Sequence, residues 1–283
     1  MDKIKVSEIF YSAQGEGRFI GVPSVFFRTF GCNFKCAGFG MPRGETSHEA
    51  TDIAATHTMI KAFEKYEQLP LVSTGCDSYA SWHPDFKELS PMLTSEAIAD
   101  RIAEIIPFGE WKDEHLVITG GEPLLGWQRA YPDLLSHPKM TGLKEITFET
   151  NGTQPLHEEF KTFLDNWYHS FREITFSVSP KLSASGEKWN DAVKPDVVAD
   201  YQQYGFVYLK FVVDQLEHFD EVDQAVMAYR NAGFEGPVYV MPVGGVVSVY
   251  DGNRIHIADE ALKRGYYYSP RLHVDLWGNG WGK

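Results

Sequence analysis

Short apolar runs recur along the chain at the length of buried strands: Pro23–Phe30 (PSVFFRTF), His115–Gly120 (HLVITG), Glu145–Thr150 (EITFET), Ile174–Ser179 (ITFSVS), Val207–Val213 (VYLKFVV) and Pro237–Val243 (PVYVMPV). Several are nearly continuous, as in parallel strands covered on both faces, whereas a strand with one wet face would alternate. Stripes of helical period separate them. Ile98, Ile102, Ile105 and Ile106 form one behind Thr94 and Glu96, a helix start; Phe160, Phe163, Leu164 and Trp167 form a second. Val222, Ala225, Val226 and Tyr229 form a third, ended by Asn231 and Gly233. Strand and helix alternate over about five units, which predicts an α/β barrel or partial barrel rather than an antiparallel sandwich.

Residues 37–75 interrupt the rhythm. They open with GFGMPRGETSHE, polar and rich in turn formers. Glu49–Tyr66 then reads as a helix with Ile53, Ile60 and Phe63 on one side. An excursion inserted after the first of these strands accounts for the stretch. No internal repeat or linker divides the chain, so a single domain over residues 1–283 is expected.

Composition narrows the class. The 283 residues are 43% hydrophobic and 14% aromatic, with scattered Gly and Pro, as in a folded chain with a sizeable core. A formal charge of -13 argues against a duplex-binding surface, so no direct nucleic-acid binding is expected. No run reaches the roughly 18–20 apolar residues of a membrane helix, and MDKIKVSEIF lacks the apolar centre of a signal peptide. No membrane partner is expected, and a cytoplasmic chain is the reading. There Cys32, Cys36 and Cys76 are reduced thiols or ligands, and their odd number rules out a complete disulfide set.

Cys32 and Cys36 stand in GCNFKCAGFG, directly after a strand end, where α/β barrels carry their sites; Phe39 stands where a third sulfur would be useful. Cys76 lies in a second turn-rich setting, STGCDSYASW. Such cysteines could be small buried hydrophobes. Three thiolates could also hold zinc with a fourth ligand, or three irons of a four-iron cluster with one iron left open. Spacing alone leaves these alternatives standing.

The wider motifs resemble the radical S-adenosylmethionine superfamily and, within it, the 7-carboxy-7-deazaguanine synthases. They are EIFYSAQGEGRFIGVPSVFFRTFGCNFKC (Glu8–Cys36), CDSYASW (Cys76–Trp82), ITGGEPLL (Ile118–Leu125), FETNGT (Phe148–Thr153), SVSPK (Ser177–Lys181), MPVG (Met241–Gly244) and SPRLHVDLWGN (Ser269–Asn279). The superfamily pattern is C-x3-C-x2-C. Here the first two cysteines keep their spacing and the third is displaced to Cys76, beside Asp77, Ser78, Tyr79 and Trp82 as in this family. Loop-closure entropy grows slowly with length, so a long detour between two ligands is tolerable.

The resemblance implies a partial (β/α) TIM-like barrel of the radical S-adenosylmethionine type, with a [4Fe-4S] cluster on Cys32, Cys36 and Cys76. It implies S-adenosylmethionine near Gly120, Gly121, Glu122, Asn151, Ser179, Lys181, Met241, Pro242 and Val243, with Glu122 at the amino group. It implies Mg2+ at Ser78, where the family carries Thr. It places the pterin substrate against Gln14, Glu16 and Arg28, and suggests that a segment at about 265–283 closes near it, with His273, Trp277 and Asn279 in the wall. The implied reaction is radical ring contraction of 6-carboxy-5,6,7,8-tetrahydropterin to 7-carboxy-7-deazaguanine with loss of ammonia. A 5'-deoxyadenosyl radical would initiate it, a flavodoxin or ferredoxin-type reductant would supply the electron, and the enzyme would be a homodimer. Two other readings share the cysteines: an activase of glycyl-radical enzymes, and a cluster-bearing interaction protein without catalysis.

Overall fold

The computed structural model describes residues 2–168, 170 and 172–283. Its frame is one nine-stranded sheet. In chain order the elements are β1 (Lys3–Ala13), β2 (Pro23–Thr29), α1 (Glu49–Ile60), β3 (Met92–Thr94), α2 (Ser95–Ile105), β4 (His115–Gly120), α3 (Tyr131–Leu135), β5 (Glu145–Thr150), α4 (Glu158–Tyr168), β6 (Glu173–Val178), α5 (Trp189–Ala192), α6 (Pro195–Tyr201), β7 (Phe206–Val213), α7 (His218–Asn231), β8 (Val238–Pro242), α8 (Val247–Lys263), β9 (Tyr267–Tyr268) and α9 (Leu272–Trp277). The sheet order is β3-β1-β2-β4-β5-β6-β7-β8-β9, parallel from β2 to β9 and antiparallel at β1 and β3. Among the described residues the two ends of the sheet do not pair, so the barrel is partial, as expected. None of the helices among the described residues is long and apolar enough to cross a membrane.

The six predicted strands lie within about two residues of β2, β4, β5, β6, β7 and β8. Their two faces differ. One carries Phe27, Ile118, Phe148, Phe176 and Phe211, all fully buried against the helices. The Ile98–Ile102 stripe of α2, Phe160 and Leu164 of α4, and Val222 and Tyr229 of α7 complete this core. Thr94 caps α2, its Oγ1 accepting from Ala97 N at 3.2 Å. The other face carries Arg28, Thr119, Glu149, Ser177 and Lys210, which line a cavity toward the C-terminal strand ends.

Three elements depart from the expected pattern. β1 is passed over by a search for continuous apolar runs, because only Ile4, Val6 and Ser7 are buried over its first half. α8 is passed over because apolar residues ring it, with Tyr250, Ile257 and Ala261 buried and Val247, Ile255 and Leu262 exposed. The helix expected over Glu49–Tyr66 ends at Ile60. Lys61 adopts the left-handed conformation (φ 49°) and closes the last turn onto His57 O. Its buried side carries Ala54 and His57, while Ile60 is 70% exposed.

Residues after α1 fold into a second, smaller core of Tyr66, Leu69, Val72, Tyr79, Ala80 and Phe86. The base of the excursion is closed: Gly75 N donates to Phe39 O at 2.7 Å and Ser47 N to Ala37 O at 2.7 Å. The Glu49 carboxylate accepts from Ser73 N at 2.8 Å and Thr74 N at 3.0 Å, binding the outgoing chain to the start of α1. Cys76 therefore leaves the excursion beside the point where the chain entered it.

Candidate active site

The cavity opens at the C-terminal ends of β2 and β4–β8, and the three cysteines line one end of it. Cys32 follows the turn that ends β2. Cys36 lies in the left-handed region (φ 50°), held by Glu187, whose Oε1 accepts from Lys35 N and Cys36 N at 2.9 Å each. Cys32, Cys36, Phe39 and Cys76 pack together with Phe34 and Ala192. Phe39, in the position of the displaced ligand, is thus part of the wall around the sulfurs. All three thiols are free. Phe34 N donates to Cys32 Sγ at 3.4 Å, and Ser78 Oγ lies 3.6 Å from Cys76 Sγ.

Burial pushes the Cys32 thiol up to about 12, and burial raises Cys36 and Cys76 as well. Such thiols are poor nucleophiles at neutral pH; a bound cation reverses the preference and takes them as thiolates. Among the described residues, no three His, Cys, Asp or Glu side chains are grouped to hold one metal ion. Three soft sulfurs on two separate loops around one cavity end suit a four-iron cube, in which each protein sulfur meets its own iron.

The GGEP turn packs directly on the cysteine loop. A Cβ on Gly121 would lie 2.3 Å from Gly31 O and 2.8 Å from Cys32 Cβ. A Cβ on Gly120 would lie 2.4 Å from Thr29 O. These glycines are required by the chain's own backbone, although both also line the cavity. Glu122 does not line it. Its fully buried carboxylate accepts from Leu124 N at 3.0 Å, Thr150 Oγ1 at 2.7 Å and Asn151 N at 2.7 Å, fastening the turn to β5 behind the wall.

Asn151, Ser179, Lys181, Met241 and Val243 do reach the cavity. Asn151 Nδ2 donates to Asn33 Oδ1 at 2.9 Å, and Lys181 Nζ to Ser179 Oγ at 3.0 Å. Pro242 is absent from the lining, because alternation along β8 turns it away while Met241 and Val243 face in. Trp277 is likewise outside, 39% exposed on α9, whereas His273 and Asn279 line the cavity.

The opposite end is charged and buried. Glu16 pairs with Lys210 of β7 and accepts from Arg271 Nε at 3.3 Å. Arg271 Nη2 donates to Asp77 Oδ2 at 2.5 Å, and its Nη1 to Gly244 O. His273 Nε2 lies 3.8 Å from Glu16 Oε1. Gln14 Nε2 donates to Glu149 Oε1 at 3.1 Å, and Arg28 Nε to Glu8 Oε2 at 3.0 Å. Burial would push the Glu16 carboxyl up, but Lys210, Arg271 and His273 outweigh it and hold the group well below the usual carboxylate range. Burial, assisted by Arg271, brings His273 down to about 4, so it is neutral at pH 7.

The structure thus brings together Cys32, Cys36, Cys76, Ser78, Gly120, Gly121, Asn151, Ser179, Lys181, Met241, Val243, Gln14, Glu16, Arg28, His273 and Asn279 around one cavity. It adds Lys210, Arg271, Asp77, Glu149 and Glu8, which sequence reasoning missed. One signal was visible: a lysine in the middle of the apolar run VYLKFVV has no reason to be there unless a carboxylate meets it.

No family model matches the chain. A 7-carboxy-7-deazaguanine synthase from Halobacterium salinarum is 32% identical over 302 aligned residues, covering 98% of this chain and 91% of that protein. One from Pyrobaculum aerophilum is 29% identical over 281 residues, covering 99% of this chain and 98% of that protein. In fold, the chain is similar to QueE from Escherichia coli, with a TM-score of 0.56 at 20% identity, covering 96% of this chain and 95% of the other. With a relative of that identity aligned over nearly its whole length, this chain belongs to the 7-carboxy-7-deazaguanine synthase family.

Proposed function

We propose that the chain contracts the ring of 6-carboxy-5,6,7,8-tetrahydropterin to give 7-carboxy-7-deazaguanine and ammonia, with Cys32, Cys36 and Cys76 holding a [4Fe-4S] cluster. The observation that carries this is a single cavity with three free thiols at one end and buried charged pairs at the other. The first end takes a metal cluster; the second suits a small, polar, ring-shaped substrate. When bound, the cluster and S-adenosylmethionine supply the one-electron cleavage that starts hydrogen abstraction from the pterin.

The protein's own part is alignment and exclusion of water. Lys181 and Ser179, joined by their hydrogen bond, offer a cation and a hydroxyl to the carboxylate and ribose of S-adenosylmethionine. Asn151 and the strand end at Met241 and Val243 complete that wall. Glu16 stays ionised and faces the N–H edge of the pterin, where a carboxylate matches paired donors. Gln14, whose Oε1 accepts from Glu16 N at 3.0 Å, orients that segment. Arg28 meets the substrate carboxylate with the guanidinium edge that Glu8 leaves open. Neutral His273 offers a hydrogen bond without adding charge.

Mg2+ fits only as a site completed by others. Ser78 supplies one hydroxyl and the neighbouring Asp77 carboxylate is engaged by Arg271, so water and substrate oxygens fill the remaining positions. A flavodoxin or ferredoxin-type reductant, a cytoplasmic setting and a homodimer belong to the same reading. Its test is anaerobic reconstitution with iron and sulfide, followed by incubation with S-adenosylmethionine, reductant and the pterin. Ammonia and 7-carboxy-7-deazaguanine should appear in equal amounts. A fully loaded protein that releases neither would overturn the proposal.

A further inference from the structure

Beyond α9 the chain crosses from the charged end of the cavity to the excursion. Asn279 Nδ2 donates to Gly245 O at 3.0 Å, and the Gly282 backbone lies beside the Glu8 carboxylate, the partner of Arg28. Between these points the Trp281 ring packs against the second core, which the excursion shares with Tyr79, Ala80 and Phe86. The Trp281 and Tyr66 ring centroids are 5.6 Å apart with an interplanar angle of 62°, and those of Trp281 and Tyr79 are 5.7 Å apart at 83°. Both are edge-on packings of the favourable kind. Gly280, Trp281 and Lys283 also line the cavity.

The socket is rigid where it needs to be. Tyr66 Oη donates to Ala80 O at 2.9 Å and shares a 2.7 Å hydrogen bond with Ser90 Oγ, and Tyr79 Oη donates to Pro70 O at 2.9 Å. Neither ring can swing aside without breaking these bonds. The indole N–H of Trp281 is buried and has no hydrogen-bond partner among the described residues. Ring contact, not a polar bond, therefore seats this residue. Without the excursion, Tyr66, Leu69 and Val72 would be gone and Trp281 would keep only Tyr79 of its two ring partners.

We infer that the excursion is a socket for residues 278–283, and that Trp281 is a positioning residue that holds this segment as the wall of the substrate cavity. This rests on the reading of the cavity as the pterin site. It gives the excursion a role apart from cysteine spacing: it lets one side of the substrate wall be fixed from outside the barrel.

The test compares full-length wild type, Trp281→Ala and Trp281→Phe after cluster reconstitution, by amide hydrogen exchange, iron content and steady-state kinetics. Trp281→Ala should speed exchange over residues 278–283 and around Tyr66. It should raise KM for the pterin roughly tenfold, about what losing two edge-on aromatic contacts implies, with a smaller change in kcat. Trp281→Phe should restore most of both, and iron per chain should match wild type in both variants. Exchange and KM at wild-type values in Trp281→Ala would overturn the inference. A wild type that fails to load iron would instead strike the cluster reading, and the exchange comparison would still decide the socket. A fall in iron for Trp281→Ala alone would make the residue structural and also overturn the positioning role.

Discussion

At one end of the cavity, three thiols pack among Phe34, Phe39 and Ala192, pushed toward their neutral form by burial. At the other, Lys210 and Arg271 are buried, Glu16 is mostly buried and Asp77 is partly exposed, and each charge already has its opposite. Burial is common to both ends; compensation is not. If the thiols hold the proposed cluster, that end gains its partner only when the metal arrives, so its side chains can be apolar-packed and uncharged beforehand. If the charged end holds the proposed substrate, it must keep fixed dipoles ready for a neutral ring system, which pairing from within supplies.

The sharpest way to break the comparison is at the thiol end. Cys76→Ala should lower turnover by roughly a thousandfold or more and cut iron per chain. Thermal unfolding of the metal-free protein should move little, since only the long contact to Ser78 Oγ and a small amount of packing are lost. Normal iron content in this variant would remove Cys76 from the site. At the charged end the order reverses. Lys210→Met leaves Glu16 buried with one of its two strong partners gone and should cost about 3 kcal/mol in denaturant unfolding, with iron content unchanged. Stability equal to wild type would mean that the pair is not buried in solution.

Acid should also separate the ends. The folded-state values of Glu16 and His273 are both depressed, so the unfolded chain binds more protons as pH falls. Their contribution is present above the unfolded values, about 6.5 for His and 4.3 for Glu, and drains away as pH falls through the folded ones. His273→Asn should flatten the loss between pH 6.5 and about 4, a difference on the order of 3 kcal/mol readable from unfolding midpoints. An unchanged slope would show His273 to be solvated. The smallest effect is expected where the two ends meet. Ser78→Ala should reduce kcat/KM within about tenfold, most at limiting Mg2+, and leave iron loading intact. If the loss persists at saturating Mg2+, Ser78 acts on Cys76 rather than on the ion.

The strands of the barrel were legible because burial of the Phe27–Phe211 face imposes runs that no other constraint interrupts. The inner face was not, since the same runs hide which alternate residue turns inward; Lys210 was the visible exception. The three cysteines were found through their neighbours, not their spacing. Glu122 and Trp277 were placed in the wall by their motifs, but hydrogen bonding and helix exposure turn them away from it; Pro242 was expected there only through the Met241–Val243 backbone, and its side chain is absent from the lining. The excursion helix was read too long because a lysine, not a glycine, takes the left-handed stop at Lys61.

The bond from Gly75 N to Phe39 O makes residues 40–74 a pendant hung on a closed ring. A splice at that joint could exchange the pendant for a two-residue bridge and leave Cys76 where it stands. If the proposed cluster site and clasp both hold, such a graft would separate them: it would still load iron, while its substrate chamber would have lost Tyr66 from the clasp.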